Sequence, residues 1–186
     1  MSAFNMLVVL GSTASGKTKL AVELARALNG EIISADSRQV YRGLDIGSGK
    51  DLNEYQEIKH HLIDIVDPGY EYNIFDFQQN VIDAYQEITH KDKLAIMAGG
   101  SALYVDSILK GYRLIEVAEN VELRAVLATL SHEQLIQKLV LLKPNLHNTT
   151  DLIEHDRLVR AIEIAHGELA AQDSINDFPA LKPLIF

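Results

Sequence analysis

The stretch Met6-Leu-Val-Val-Leu10 leads directly into Gly11-Ser12-Thr13-Ala14-Ser15-Gly16-Lys17-Thr18, an apolar run that stops at glycine and meets the pattern G-x-x-x-x-G-K-[ST]. The spacing has a physical reading. Glycines let the backbone curl until successive amide N–H groups converge on phosphate oxygens, and the helix that opens behind them adds positive potential. Lys17 would bridge phosphates and the Thr18 hydroxyl could ligate Mg²⁺. A flexible Gly/Ser turn is the bland alternative, but a strand before the motif and a helix after it favour the phosphate loop. The helix reads from Leu20, Leu24 and Leu28 on one face and closes at Asn29 and Gly30.

Further along, the pattern alternates. Glu31 to Ser34 reads as a short strand, Leu62 to Val66 as another, and Leu94 to Met97 as a third before Gly99 and Gly100. Between the last two, Ile74, Phe77, Val81, Ala84, Tyr85 and Ile88 recur at helical spacing. Strands alternating with helices imply a parallel sheet. The expected fold is therefore α/β, a P-loop NTPase-like parallel sheet flanked by helices, with a small helical insertion. Beyond Arg113 the strands stop. Helices are expected over Val121 to Leu130 and His132 to Leu142, with Ser131 to Gln134 spaced as a capping box and Pro144 closing the second. A helix from Ile153 to His166 places Leu158, Ala161, Ile162 and Ala165 on one face, and the tail Leu181 to Phe186 reads as a strand. The resulting division is 1–112 for the core, 113–150 for the insertion and 151–186 for the return to the core.

The composition bounds the chemistry. The 186 residues carry 17 Lys and Arg against 26 Asp and Glu, a formal net charge of −9, which argues against indiscriminate nucleic-acid binding but leaves room for a local basic groove. There is no cysteine, which removes disulfides, thiolate metal sites and cysteine nucleophiles together. No apolar run approaches the roughly 18 residues of a membrane span, so a cytoplasmic protein without membrane contact is expected. His132-Glu133 begins like a zinc-protease motif, but Ile136 occupies the second histidine position. His60 and His61 show no metal-ligand spacing and are expected to be structural.

Ser34-Ala-Asp36-Ser37-Arg38-Gln39-Val40-Tyr41-Arg42-Gly43 follows the second strand. In a doubly wound sheet this sets Asp36 at the carboxyl end of a strand close to the phosphate loop, where ligands bind. A carboxylate there could take a proton from a nucleophile or hold a water on Mg²⁺; a turn or capping aspartate is the alternative. Gly47-Ser-Gly49-Lys50 looks like a second phosphate turn but lacks the spacing, and an ordinary flexible turn is expected.

Taken together, GSTASGKT, SADSRQVYRGLDIGSGK, HHLIDIVDP, DFQ, AGGSALYVDSILKGY and HDRLVRAIEI, in this order, resemble the tRNA dimethylallyltransferases, also called isopentenyl-diphosphate:tRNA transferases. The resemblance covers nearly the whole chain. It implies Mg²⁺-assisted transfer of a dimethylallyl group from dimethylallyl diphosphate to the exocyclic N6 of adenosine 37, next to the tRNA anticodon. It makes Asp36 the catalytic base, with Lys17 and Thr18 serving catalysis as well as the diphosphate. Gly11, Ser12, Thr13, Ala14, Ser15, Gly16 and Ser101 complete the diphosphate and nucleotide site. Asp36, Ser37, Arg38, Gln39, Ser101, Asp156, Arg157 and Arg160 become tRNA contacts, and the helical insertion a support for the anticodon stem-loop. The enzyme is expected to act as a monomer.

Plainer readings stand beside these. Ser101 could simply cap its helix, and Glu154 with Arg157 and Arg160 with Glu163 could be ordinary ion pairs three residues apart. The family normally continues further, with another diphosphate-contacting arginine and basic segments, and has proline where Asp51 stands. A truncated family member is therefore expected, with a naturally short relative as the alternative. Rival functions are a small-molecule or nucleotide kinase on the same loop, an adenylate dimethylallyltransferase, and an inactive RNA-binding paralogue.

Overall fold

The computed structural model describes residues 4–12, 14–50, 52–112, 114–144, 152–170 and 178–186. The chain forms two compact units, Met1–Tyr112 with Asp177–Phe186, and Arg113–Asn176.

In the first unit the described strands are β1 (Met6–Leu10), β2 (Gly30–Ala35), β3 (His60–His61), β4 (Leu94–Gly99) and β5 (Pro183–Ile185), in the order β3-β2-β4-β1-β5. All pairings are parallel, with Val8 opposite Met97 and Met6 opposite Pro183. The continuous apolar run of β1 is explained by burial on both faces. Met6 and Val8 enter one core and Leu7 and Val9 the other, as the two-residue period of a strand requires. Helix α1 (Lys17–Leu28) covers the second face, while α2 (Ile74–Thr89) and α3 (Ala102–Leu109) cover the first with Phe77, Val81, Ile88 and Ile108. Helix α2 starts at a capping box in which Asn73 Oδ1 accepts from the amides of Phe75 and Asp76, and Asp76 accepts from the Asn73 amide.

Two elements differ from their sequence reading. Helix α1 does not bury its leucine stripe. Ala21, Val22 and Ala25 face the sheet, while Leu20 and Leu28 are exposed and Leu24 is half-buried, so small residues bring the helix close to the strands. Nor is Leu62–Val66 a strand. Pairing with β2 ends at His61, because Leu62 and Asp64 take positive φ values of 64° and 56° and turn the chain; Leu62 and Ile63 are buried all the same, one in each core. The apolar run thus marked burial rather than extension. Val66 makes a single parallel bridge to Tyr41.

The second unit contains α4 (Val121–Leu127), α5 (His132–Leu142) and α6 (His155–Ala170), packed through Leu127, Leu135, Leu139, Leu158 and Ile162. The expected capping box opens α5, since Ser131 Oγ accepts from the Gln134 amide and the Gln134 side chain accepts from the Ser131 amide. The helical unit spans 113–176, and helix α6 shares its core with α4 and α5. Among the described residues no helix is long and apolar enough to cross a membrane.

Candidate active site

The glycine-rich loop, read from its sequence as a phosphate loop, connects β1 to α1. Ala14 (φ 60°) and Gly16 (φ 81°) adopt left-handed conformations, and Gly16 stands at the N-cap of α1 without a side-chain cap. No acidic residue lies in the first turn. The first N–H groups of the helix and its positive end are thus left for an anion. Lys17 Nζ turns back to donate to Ser12 O at 2.5 Å. A Cβ on Gly11 would lie 2.7 Å from Ser15 Oγ and 3.3 Å from Lys17 Cγ, so the glycine keeps the loop closed. Thr13, assigned to the loop above, lies outside the described residues.

Asp36 lies immediately after β2, and its Oδ1 accepts from the amides of Arg38 at 2.9 Å and Gln39 at 3.4 Å. That is the turn geometry of the bland reading, and it also aims the carboxylate, since among the described residues no donor bonds Oδ2. Ser34 Oγ donates to Gln39 Oε1 at 3.0 Å, which fixes the amide of Gln39. Ser101 occupies the N-cap of α3 without capping it; its Oγ instead accepts from the Ser37 amide at 3.1 Å, and its own N–H donates to Ala35 O. Gly99 permits this meeting of β2 and β4, for a Cβ there would fall 2.2 Å from Ala35 O.

These pieces line one cleft of about 160 Å³, shared by Ala14, Lys17, Thr18, Asp36, Gln39 and Ser101, with Ser37 and Arg38 at the same opening. The lining residues that the sequence assignment missed include Ser48, Gly49 and Tyr55. The turn carrying the first two is pinned rather than flexible. Lys50 is buried and donates to Tyr41 O at 2.9 Å, Asp45 Oδ1 at 3.1 Å and Asp64 Oδ1 at 2.5 Å, while Ser48 Oγ donates to Leu44 O. Burial alone would lower the Lys50 ammonium pKa; the bonds to Asp64 and Asp45 outweigh it and raise the value. Tyr55 is buried, and burial pushes its phenol up to about 12. Neither the turn bearing Ser48 and Gly49 nor Tyr55 carries a periodic signal, so only the folded chain brings them to the cleft.

Asp156, Arg157 and Arg160 belong to the helical unit. Asp156 is fully exposed, and Arg157 pairs with Glu154 at 3.1 Å with both side chains more than half exposed. Arg160 has internal partners, Glu163 at 3.1 Å and Val117 O at 2.7 Å. The ion pairs of the plainer reading are both present. His61 Nε2 bonds Glu31 at 2.8 Å, and Glu31, His61 and Glu87 bring ligand atoms within 4.8 Å of one another. Lys93, Lys91 and Lys59 already neutralise those carboxylates, so this is an ion network rather than a metal centre.

A family model described as IPP transferase matches residues 39–181. The chain belongs to the IPP transferase family. Among curated members of the IPP transferase family, it is 60% identical over 183 residues to tRNA dimethylallyltransferase 1 of Geotalea daltonii, covering 98% of this chain and 59% of that protein. It is 55% identical over 182 residues to tRNA dimethylallyltransferase 2 of Syntrophotalea carbinolica, covering 98% and 61%. The chain thus spans about three-fifths of the length of these relatives. Among solved structures, a full-length tRNA isopentenylpyrophosphate transferase from Bacillus halodurans matches with 37% identity and TM-score 0.58 over 87% of this chain and 55% of that one. A eukaryotic dimethylallyltransferase acting on tRNA matches with 25% identity and TM-score 0.77 over 97% and 47%. The glycine-rich loop and Asp36 lie ahead of the segment matched by the IPP transferase model.

Proposed function

We propose that the chain carries the reaction centre of an enzyme transferring a dimethylallyl group from dimethylallyl diphosphate to N6 of adenosine 37 in tRNA. The observation that carries the reading is the cleft in which an anion-ready helix terminus, Lys17 and Thr18 face the Asp36 carboxylate and the Gln39 amide. A phosphate cradle beside a base suits displacement of a diphosphate leaving group. N6 forms a bond to the allylic carbon, the carbon–oxygen bond breaks toward diphosphate, and the N6 proton passes to Asp36. The amides of the loop and Lys17, released from Ser12 O, stabilise the negative charge that develops on the leaving oxygen. Gln39, held by Ser34, keeps the adenine edge in line with Asp36. Ser101 joins the Asp36 turn to the phosphate side through the Ser37 amide.

The cleft fits Mg²⁺ in its donor chemistry: the Thr18 hydroxyl is a hard oxygen donor, and Mg²⁺ takes one or two protein oxygens together with substrate phosphates. Thr18 would hold the ion, which would supply charge neutralisation on the diphosphate. The reacting base must leave its stack to enter a cleft of this size. In the helical unit, Asp156 and Arg157 are assigned to the RNA face, because an exposed pair such as Arg157 with Glu154 is weak enough to exchange its partner for phosphate.

The test is incubation of this chain with labelled dimethylallyl diphosphate and Mg²⁺, together with unmodified tRNA, AMP or no acceptor, and ATP with small acceptors in parallel. Label in tRNA is expected. Label in AMP alone would make the enzyme an adenylate dimethylallyltransferase, and phosphoryl transfer from ATP would refute the reading. Asp36→Ala is expected to abolish transfer while leaving diphosphate affinity unchanged.

A further inference from the structure

We propose that Arg42 and Tyr70 form a stacking subsite for a nucleobase next to the target adenosine, taking up the neighbour that loses its stacking partner when the reacting base enters the cleft. This rests on the tRNA reading above and extends it. The chain from Gln39 to Arg42 leads directly out of the cleft and reaches at most about 10 Å. It is clamped to the segment opposite, where Asp64 N–H donates to Gln39 O at 3.0 Å, Ile65 N–H to Val40 O at 2.9 Å, and Arg42 N–H to Val66 O at 2.9 Å. Beyond the clamp, Arg42, Ile65, Val66, Asp67, Pro68 and Tyr70 line an open hollow of about 430 Å³. Its rim is held. The Tyr70 amide donates to Asp67 O at 3.2 Å across Pro68 and Gly69, whose φ of 100° suits the third position of a type II turn. Tyr41 Oη donates to Tyr70 O at 3.0 Å, which ties that turn to the segment carrying Gln39.

The chemistry of the hollow favours a base over a phosphate. Arg42 Nη1 donates to Asp67 Oδ1 at 2.8 Å and Nη2 to Ile65 O at 3.0 Å. These bonds lie in the guanidinium plane, so they fix its orientation and set a carboxylate against its charge while leaving its faces for stacking. About half of the Arg42 side chain is exposed. Tyr70 is 52% exposed, and with Phe186 it is one of two exposed aromatic residues among those described. An aromatic ring and a guanidinium plane are the groups on which unstacked bases pack, whatever their sequence. The position names the occupant. Withdrawing one base from a stacked loop uncovers a face of each neighbour, and that unstacking costs free energy. A flat platform clamped to the Gln39 segment offsets the cost by giving one neighbour a new partner.

The experiment measures, by fluorescence anisotropy, binding of a labelled anticodon stem-loop RNA containing adenosine 37 to the wild-type chain and to Tyr70→Ala, Tyr70→Phe and Arg42→Lys. The RNA is used intact or made abasic at the 5′ or the 3′ neighbour of adenosine 37. Melting curves and titrations with inorganic diphosphate accompany each variant and should stay near wild-type values, since the hollow and the cleft share no lining residue. Tyr70→Ala is expected to bind the intact RNA about tenfold more weakly, the worth of one stacked base, and Tyr70→Phe to bind it as the wild type does. Arg42→Lys should lose about fivefold, because an ammonium keeps the charge without the plane. One of the two abasic RNAs should bind the wild type about tenfold more weakly and no longer distinguish it from Tyr70→Ala. Wild-type affinity in Tyr70→Ala or Arg42→Lys, a loss in Tyr70→Phe, or an undiminished Tyr70→Ala effect on both abasic RNAs would each overturn the inference and leave the tRNA reading in place. If the wild-type chain binds the stem-loop no better than an RNA of scrambled sequence, the tRNA reading falls and the subsite with it.

Discussion

Glu163 holds the helical unit together, and its replacement by glutamine has a calculable outcome. Its carboxylate is buried and accepts from the Asn120 amide at 2.9 Å, from Arg124 Nε and Nη2 at 2.8 Å each, and from Arg160 Nη1 at 3.1 Å. The Arg124 guanidinium is the chief reason that the Glu163 carboxyl pKa falls from the usual 4.5 to about 2, against a burial penalty acting the other way. A depression of that size corresponds to at most about 3 kcal/mol of folding free energy at neutral pH. Because the side chains of Arg124 and Arg160 stay 36% and 39% exposed, solvent screening brings the expected value to about 2 kcal/mol. Glu163→Gln keeps the shape and an acceptor for Asn120 but removes the charge. Hydrogen exchange followed by peptide mass spectrometry should show protection over α4 and α6 falling about thirtyfold at pH 7, the equivalent of 2 kcal/mol, with β1 and β4 unchanged. The sign with pH follows from a lowered folded-state pKa. The wild-type contribution is complete above the unfolded value near 4.5 and is lost as pH falls toward 2. In urea unfolding, the gap between wild type and variant should therefore close over that interval. A loss below about 0.5 kcal/mol, the range of a neutral surface change, or a gap that persists at pH 2, would refute the account.

Other substitutions probe the sheet unit. Gly99→Ala sets a methyl group 2.2 Å from Ala35 O inside the β2–β4 ladder; thermal unfolding should show a loss of about 3 kcal/mol or more, within the range for severe core overpacking. Lys50→Met leaves Asp45 and Asp64 without their shared cation and frees the turn bearing Ser48 and Gly49. The expected result in steady-state kinetics is a raised KM for dimethylallyl diphosphate, with lowered stability. Asn73→Ala removes the acceptor of the α2 capping box and should cost about 1 kcal/mol in chemical denaturation.

The phosphate loop and the strand before it were legible in the sequence because their chemistry is local: a buried two-faced strand, glycines for a tight loop, and a helix start lie within thirteen consecutive residues. Asp36 was legible as the residue following the second strand, at the carboxyl end where a parallel sheet places its ligands. The capping box of α5 was equally plain, a pattern four residues long. Leu20 and Leu28 misled because a helical stripe gives a face without saying what lies beneath it, and a sheet approached closely prefers alanine and valine. Leu62–Val66 misled because apolar residues are buried in turns as well as in strands.

The sequence by itself determined the alternating α/β architecture and offered a glycine-rich loop and a candidate base, readings that follow from periodicity and from local residue patterns along the chain. Tertiary structure alone decided that Ser101 bonds the Ser37 amide across 64 positions, that a buried Lys50 pins the turn bearing Ser48 and Gly49, that Tyr55 lines the cleft together with Thr18, and that Arg160 also bonds Val117 O. Each depends on where a side chain is carried by the packing of distant elements. Where the contact is buried, as at Lys50, burial adds to its strength, because a buried polar group must find its partner within the protein rather than in water.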